Sequence, residues 1–119
     1  MDNCIFCKII QKQAFADIVY EDPNLIAIIP LEQASKGHTL LITKEHIENL
    51  FDIDEETLQI VAVGVKKLTK KLVYENKPTG INLLHASGKD AQQSVFHFHI
   101  HLVPRYKNDG LDLWIRNKL

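Results

Sequence analysis

The sequence predicts an α+β fold with about five largely antiparallel strands, one long helix packed on a face of the sheet, and short helices. Two observations favour this class. Short apolar runs alternate with turn-forming residues along much of the chain, which is typical of strands. One longer segment repeats apolar residues at three- and four-residue steps, as an amphipathic helix does. With 119 residues, the chain is expected to form a single domain, residues 1–119.

The composition argues against several kinds of partner. Hydrophobic residues make up 45% of the chain and charged residues 24%, and the net charge is -1, which gives no general attraction to nucleic acid or acidic membranes. No apolar run approaches the ~20 residues that span a bilayer, and the first residues lack the pattern of a signal peptide. We therefore expect a cytoplasmic protein with no nucleic-acid or membrane partner.

The first half of the chain predicts a short helix, a hairpin and a central strand. Residues 5–10 are expected to form a short helix or turn that carries two cysteines against the core. The segments 18–20 and 25–29 flank a turn containing Pro23, which predicts a β-hairpin. Residues 39–43 are apolar enough to form a central strand.

The middle of the chain contains the long helix. Residues 44–50 are expected to form a helical turn that leaves His46 near the end of a strand. Asp52 and Glu55 fit a capping box at the start of a helix that we place at about residues 54–75. Its apolar stripe consists of Leu58, Val61, Val65, Leu68 and Leu72.

The run 95–103 alternates histidine with hydrophobic residues, after a predicted strand at 81–85 and a polar loop at 87–94. Successive side chains of a strand point to opposite faces, so the histidines share one face and the hydrophobic residues the other. The two sets are His97, His99 and His101, and Phe96, Phe98, Ile100 and Leu102. Imidazole serves as a base, nucleophile or metal ligand near neutral pH, so we expect the chemistry to be centred on this row.

One metal ion cannot easily bind all three histidines of the row. His97 and His101 are about 13 Å apart along a strand, whereas each Zn–N bond is only ~2 Å long. The spacing of Cys4 and Cys7 predicts half of a metal site or a redox pair, and two small buried residues are the plainer alternative. Two more ligands would close a tetrahedral site, and His46 and His97 are the natural candidates.

This division leaves His99 and His101 for catalysis. A neutral, anchored imidazole can attack phosphorus and form a phosphoramidate intermediate that water cleaves, which is the role expected of His99. His101 is then expected to contact the phosphate or to protonate the leaving group. In the preceding loop, Gly88 permits close backbone approach, and Gln93 and Ser94 are expected to hydrogen-bond phosphate oxygens.

The segment His97-Phe98-His99-Ile100-His101-Leu102-Val103 resembles the defining motif of the histidine triad (HIT) family, in which three histidines alternate with hydrophobic residues. Further similarities follow in order along nearly the whole chain. They are Cys4–Cys7, Val19–Asp22, Gly37–Leu40, Lys44–Ile47 and Gln93–Phe96. Together they resemble the Hint-like, zinc-binding bacterial branch of the family.

The resemblance implies a five-stranded antiparallel sheet, usually paired as a homodimer, and nucleotidyl transfer or hydrolysis at an α-phosphate. The middle histidine of the motif matches His99 and is the implied nucleophile. His101 matches the histidine that contacts the phosphate and the leaving group, while Gln93 and Ser94 match phosphate-contacting positions.

The same resemblance implies a structural zinc ion and no organic cofactor. The implied zinc ligands are Cys4, Cys7, His46 and His97. His38 matches a histidine near the site with a supporting role.

The chain departs from the family pattern where family members recognise the nucleoside. Many Hint-like members carry an aspartate that binds both ribose hydroxyls, and this chain has Pro30 there, with Glu32 nearby in sequence. Ala86 and Gln92 replace an asparagine and a glycine of the loop, and Thr43 replaces a proline. The catalytic row is intact, so the sequence defines the reaction type better than the substrate.

The sequence therefore predicts a nucleotide hydrolase or transferase that acts on a nucleoside phosphoramidate or related conjugate through an intermediate on His99. One alternative is a non-catalytic nucleotide-binding or scaffold protein, which Pro30, Ala86 and Gln92 favour. A second alternative is a dinucleoside polyphosphate hydrolase. The spacing of the row disfavours a metal hydrolase with a catalytic zinc ion bound there.

Overall fold

The computed structural model describes residues 3–116. Its elements are α1 (Ile5–Ile10), β1 (Asp17–Glu21), β2 (Leu25–Ile29), β3 (Thr39–Thr43), α2 (Glu55–Asn76), β4 (Gly80–Leu84), a 3-10 turn (Lys89–Ala91) and β5 (His99–Arg105). The five strands form an antiparallel sheet in the order β1-β2-β3-β5-β4. The predicted α+β class, with five strands, one long helix and short helices, is confirmed.

The β1–β2 hairpin forms where the sequence predicts it, and Asp22 holds its turn. Oδ1 of Asp22 accepts hydrogen bonds from the backbone N–H groups of Asn24 and Leu25, both at 2.8 Å. The carboxylate thus accepts from two backbone N–H groups of the turn, which lie beyond the hydrogen bonds that pair the two strands. Strand β3 lies at the centre of the sheet, as predicted, between β2 and β5.

Helix α2 begins with a cap that differs from the predicted one. Oδ1 of Asp54 accepts a hydrogen bond from the backbone N–H of Thr57 at 2.7 Å, so Asp54 is the N-cap. The predicted capping box of Asp52 and Glu55 is wrong, because Glu55 is the first residue of the helix rather than the third. Asp52 lies in the preceding turn, where its N–H donates to the carbonyl of Asn49.

Most of the predicted apolar stripe of α2 faces the sheet, although Leu58 is 37% exposed. The buried residues of the helix are Val61, Gly64, Leu68 and Leu72. A Cβ atom at Gly64 would lie 2.5 Å from Cδ1 of Leu25. The glycine therefore allows the helix to approach β2 closely.

The other face of the sheet packs against α1. The cluster on this side consists of Phe6, Ile9, Ile26, Ile28, Leu40 and Ile42. It lies on the opposite side of the sheet from the α2 cluster, because side chains alternate between the faces of each strand. Within residues 3–116, no helix is both long and apolar enough to cross a membrane.

Segment 44–50 contains no helix, so the predicted helical turn is wrong. Its backbone groups bond to distant parts of the chain instead: Lys44 N–H donates to the carbonyl of Asn24 at 2.9 Å, and the carbonyl of Ile47 accepts from Phe98 N–H at 2.6 Å. These long-range bonds replace the local bonds of a helix. His46 nevertheless follows the end of β3, as predicted.

The histidine strand is shorter than predicted, because β5 begins at His99. Residues 95–98 are irregular, and Phe96 is 43% exposed rather than part of the core. Phe98 N–H donates to the segment after β3 rather than to a ladder partner, so regular pairing starts only at the next residue. The regular alternation of faces therefore starts at His99, although Phe98 still packs on the same side as Ile100 and Leu102.

Candidate active site and metal cluster

The histidine row lies on the face of the sheet that packs against α1. His99 and His101 pair with Ile42 and Leu40 of β3, and directly opposed residues share a face. The rings of His99 and His101 are 5.2 Å apart between centroids. Phe6 packs edge-on against the ring of His99 at 5.1 Å, so α1 covers one side of the row.

Four side chains from three parts of the chain converge beside this row. They are Cys4, Cys7, His46 and His97, whose ligand atoms all lie within 4.8 Å of one another. The Nδ1 atoms of the two histidines are 3.1 Å apart, and Sγ of Cys4 and Nδ1 of His97 are 3.2 Å apart. In a tetrahedral zinc site with bonds of ~2.0–2.3 Å, neighbouring ligand atoms are about 3.3–3.8 Å apart. The donor set and its spacing therefore fit a zinc ion.

A backbone hydrogen bond prepares His97 to act through Nδ1. Its Nε2 lies 2.6 Å from the carbonyl oxygen of Thr43, and since a carbonyl can only accept, Nε2 carries the proton. Nδ1 therefore keeps the lone pair that a metal ion needs, and a second bond of this kind is usual for a metal-binding histidine. Burial lowers the pKa of His97 to about 4, while burial also raises the pKa of the Cys7 thiol to about 11.

A second backbone carbonyl orients His99. Nδ1 of His99 lies 2.8 Å from the carbonyl oxygen of His97, so Nδ1 carries the proton and donates it. The lone pair of the neutral ring is then on Nε2. Burial lowers the pKa of His99, which favours this neutral form.

His101 contacts a histidine from outside the row, His38, which comes from the loop before β3. Nε2 of His38 lies 3.0 Å from Nδ1 of His101, and Nδ1 of His38 accepts the N–H of Ala34 at 3.0 Å. Burial is the main reason that the pKa of His101 is lowered to about 4, and His99, His38 and His85 lower it further.

Gln93 is held within the loop by its own side chain. Its Oε1 accepts from Asn49 Nδ2 at 3.2 Å and from Gly88 N–H at 2.7 Å, while its Nε2 donates to the carbonyls of Glu48 and Val95 at 2.8 and 3.1 Å. Because the amide has no hydrogen-bonding position left, a contact with phosphate would require one of these bonds to break. The geometry favours a role in organising the loop.

Ser94 lies beside His99 and His101 on the wall of a cavity of about 230 Å³. The end of β4 and the loop residues 91–94 complete the wall. The two predicted catalytic histidines and Ser94 are therefore brought together, with Gln93 on the same wall.

His85 is a site residue that the sequence reasoning missed. Its Nδ1 donates to the carbonyl of His99 at 2.8 Å, and its Nε2 lies 2.6 Å from Oγ of Ser87, which also accepts Leu50 N–H. Its position could have indicated this role, because it directly follows β4, the strand before the one that carries the histidine row. It ties β5 to the loop after β4.

A second cleft of about 550 Å³ opens from His99 and His101 toward α1. Its walls are mainly apolar and include Phe6, Ile9, Phe15, Pro30 and Leu31. Asp17 and Gln33 are polar residues on the same walls. This cleft offers a flat, apolar group a position next to the two histidines.

Comparison with known proteins shows similarities that cover most of the chain. A model of the HIT domain matches residues 11–108. Protein hit of Bacillus subtilis is 44% identical over 110 residues, which cover 92% of this chain and 76% of that protein. The crystal structure of a HIT family protein from Bacillus anthracis superposes with a TM-score of 0.90 at 43% identity, covering 98% of this chain and 83% of the other.

Two further similarities concern the metal and the activity of relatives. A zinc-bound histidine triad family protein from Mycobacterium smegmatis has a TM-score of 0.88 at 35% identity, covering 93% of this chain and 81% of the other. Adenylylsulfatase HINT3 of Arabidopsis thaliana is 32% identical over 110 residues, which cover 92% of this chain and 56% of that protein.

Proposed function

The chain belongs to the HIT family, and from that premise we propose that it transfers or hydrolyses a nucleotidyl group at the α-phosphate of a nucleoside phosphoramidate or related conjugate. The observation that carries this proposal is the hydrogen bond from Nδ1 of His99 to the carbonyl of His97. It leaves the lone pair on Nε2 of a side chain that lines the cavity. A neutral imidazole with a free lone pair is an effective nucleophile.

In the proposed reaction, Nε2 of His99 attacks phosphorus, and the bond between phosphorus and the leaving group breaks. The leaving group departs with that electron pair, and an amine takes up a proton from solvent. Water then attacks phosphorus and gives up a proton to solvent, the P–N bond returns its electrons to His99, and a nucleoside monophosphate is released. His101 contacts the phosphate and the leaving group, and Ser94 supplies a further donor. Gln93 contributes by shaping the loop.

The apolar cleft supports a nucleotide as the substrate. It adjoins both catalytic histidines, and its walls suit the flat faces of a base. The similarity to an adenylylsulfatase supports attack on an α-phosphate that carries a good leaving group. Pro30 and Leu31 lie on the wall of the cleft, where the sugar of the nucleotide would contact them. The nucleoside is therefore held largely by apolar contacts.

We also propose that Cys4, Cys7, His46 and His97 bind a structural zinc ion. The converging ligand atoms and the similarity to a zinc-bound relative support this assignment. Such an ion would cross-link α1, the segment after β3 and the residue that orients His99, and would take no part in the reaction itself.

We further propose that this single HIT domain functions as a cytoplasmic homodimer. Strand β4 is at the edge of the sheet, and Leu83 within it is 49% exposed. An edge strand with an exposed apolar side chain can pair with a second copy of itself. Sedimentation of wild type and of Leu83→Glu tests this, since the variant should shift the equilibrium to the monomer.

The experiment that tests the function is covalent trapping. Wild type is mixed with a nucleoside phosphoramidate that carries a label on the α-phosphate and is quenched within one turnover. We expect the label on His99 by peptide mapping and none on His99→Ala. Full turnover by His99→Ala, or binding of a nucleoside monophosphate without any turnover by wild type, would contradict the mechanism. Release of a nucleoside polyphosphate from dinucleoside substrates would instead support the polyphosphate hydrolase.

A further inference from the structure

Two backbone groups give the neighbouring histidines of the row opposite proton positions. The carbonyl of His97 fixes the proton of His99 on Nδ1. The hydrogen bonds around His38 place the proton of His101 on the other nitrogen, Nε2. They start at the backbone N–H of Ala34, and an N–H can only donate.

The backbone N–H of Ala34 decides the direction of both hydrogen bonds of His38. Ala34 N–H donates to Nδ1 of His38, so this nitrogen carries no proton. His38 is buried, and burial lowers its pKa, so the ring is neutral and its single proton is on Nε2. Nε2 lies 3.0 Å from Nδ1 of His101 and donates to it. Nδ1 of His101 is thus the acceptor, and the proton of its neutral ring is on Nε2.

We infer that His38 is a positioning residue that fixes His101 as the Nε2–H tautomer, so that His101 meets the phosphate of the substrate as a hydrogen-bond donor. The contact with phosphate rests on the proposed function, whereas the tautomer of His101 rests on the hydrogen bonds alone. This tautomer divides the row into an acceptor nitrogen on His99 and a donor nitrogen on His101. The two rings are otherwise identical, and their centroids are 5.2 Å apart.

The same direction disfavours the charged form of His101 in the free protein. An imidazolium would place a second N–H on Nδ1, facing the N–H of His38 across 3.0 Å. Within residues 3–116, the titratable groups that shift the pKa of His101 are His99 on its own strand, His38 before β3 and His85 after β4, while Asp17 lies on the wall of the same cleft. The neutral ring still donates through its Nε2–H, so it can stabilise charge on phosphate oxygens without first gaining a proton.

A glutamine at position 38 reproduces the arrangement and provides the matched variant. Its Oε1 can accept from Ala34 and its Nε2 can donate to His101, whereas leucine can do neither. Ser35→Ala removes a hydrogen bond to the carbonyl of Pro104 from the same loop without touching these groups, so it controls for loop stability.

The test measures tautomers and kinetics on the full, metal-loaded chain. Long-range ¹H–¹⁵N NMR of the histidine rings between pH 6.5 and 8 should show His101 as the Nε2–H tautomer in wild type and His38→Gln, and as a mixture in His38→Leu. With a nucleoside phosphoramidate, kcat should fall about 10- to 100-fold in His38→Leu, and by less than about threefold in His38→Gln and Ser35→Ala.

A proton on Nδ1 of His101 in wild type would overturn the inference, as would an unchanged tautomer in His38→Leu. If His38→Leu does not fold, the spectra of wild type and His38→Gln still decide between the tautomers. A correct tautomer without a nucleotidyl adduct on His99 would count against the proposed function alone.

Discussion

The ring of His99 and the backbone of His97 are joined by a hydrogen bond of 2.8 Å, and the ring of His97 lies 3.2 Å from the sulfur of Cys4. One residue therefore belongs to the proposed metal site through its side chain and orients the proposed nucleophile through its carbonyl. Any change that displaces His97 is expected to reach His99 through this bond and through Phe6, which packs against both rings.

Removal of the metal should destabilise the fold, because the four ligands come from three separate segments. A chelator is expected to lower the melting temperature by about 10 °C or more, and Cys7→Ser should abolish this sensitivity. Calorimetry and elemental analysis measure both. Lys8→Ala, at an exposed position of the same helix, should respond like wild type. Finding no bound metal would reduce the cysteines to core residues.

The stability of the protein should fall in mild acid because of His101. Its pKa in the fold, about 4, lies below the ordinary value of 6.5, so the unfolded chain binds more protons between these two values. The contribution of the neutral ring is therefore complete above pH 6.5 and is lost as the pH falls toward 4, with a loss of roughly 1–3 kcal/mol.

Urea titrations at several pH values measure this effect. They are best made on Cys7→Ser, so that metal release at low pH does not contribute. His101→Gln in that background should reduce the dependence between pH 6.5 and 4, and the remaining part comes from groups such as His97, whose pKa is also lowered to about 4. An unchanged slope would show that other groups titrate.

Gln93 and Ser94 should respond differently to removal of their side chains. Gln93→Ala leaves the buried amide of Asn49, and the half-buried Gly88 N–H, without their acceptor, which should cost about 1–3 kcal/mol of unfolding free energy. Ser94→Ala should lower kcat/KM while changing stability by less than about 0.5 kcal/mol. Denaturant unfolding and steady-state kinetics separate the two effects. Loss of activity with full stability in Gln93→Ala would indicate direct substrate contact instead.

The absence of an acid at Pro30 should weaken discrimination between ribose and deoxyribose. Wild type is expected to use a ribonucleoside substrate and its 2′-deoxy analogue with kcat/KM values within about threefold of each other. Pro30→Asp should raise the preference for ribose about tenfold, since a carboxylate that loses its hydroxyl partner is penalised. If wild type already prefers ribose by more than tenfold, Asp17→Asn tests whether the carboxylate on the same cleft is responsible.

Much of the fold was readable from local patterns. Strand β3, the hairpin around Pro23 and the long helix appear within one or two residues of their predicted ranges, because apolar periodicity reflects burial directly. The predictions were wrong where hydrogen bonds between distant parts of the chain determine the local structure. Segment 44–50 is not helical because its backbone bonds to Asn24 and Phe98, partners that no local pattern can reveal.

The sequence by itself determined which chemical groups are present: two cysteines at metal-ligand spacing and a row of three histidines. It also determined that Pro30 stands where an acid would bind ribose. Only the tertiary structure decided which nitrogen of each ring is free. The position of each ring proton depends on a backbone carbonyl or N–H, at Thr43, His97 and Ala34. Every residue has such groups, so their placement is a property of the packed chain and leaves no signal in the order of side chains.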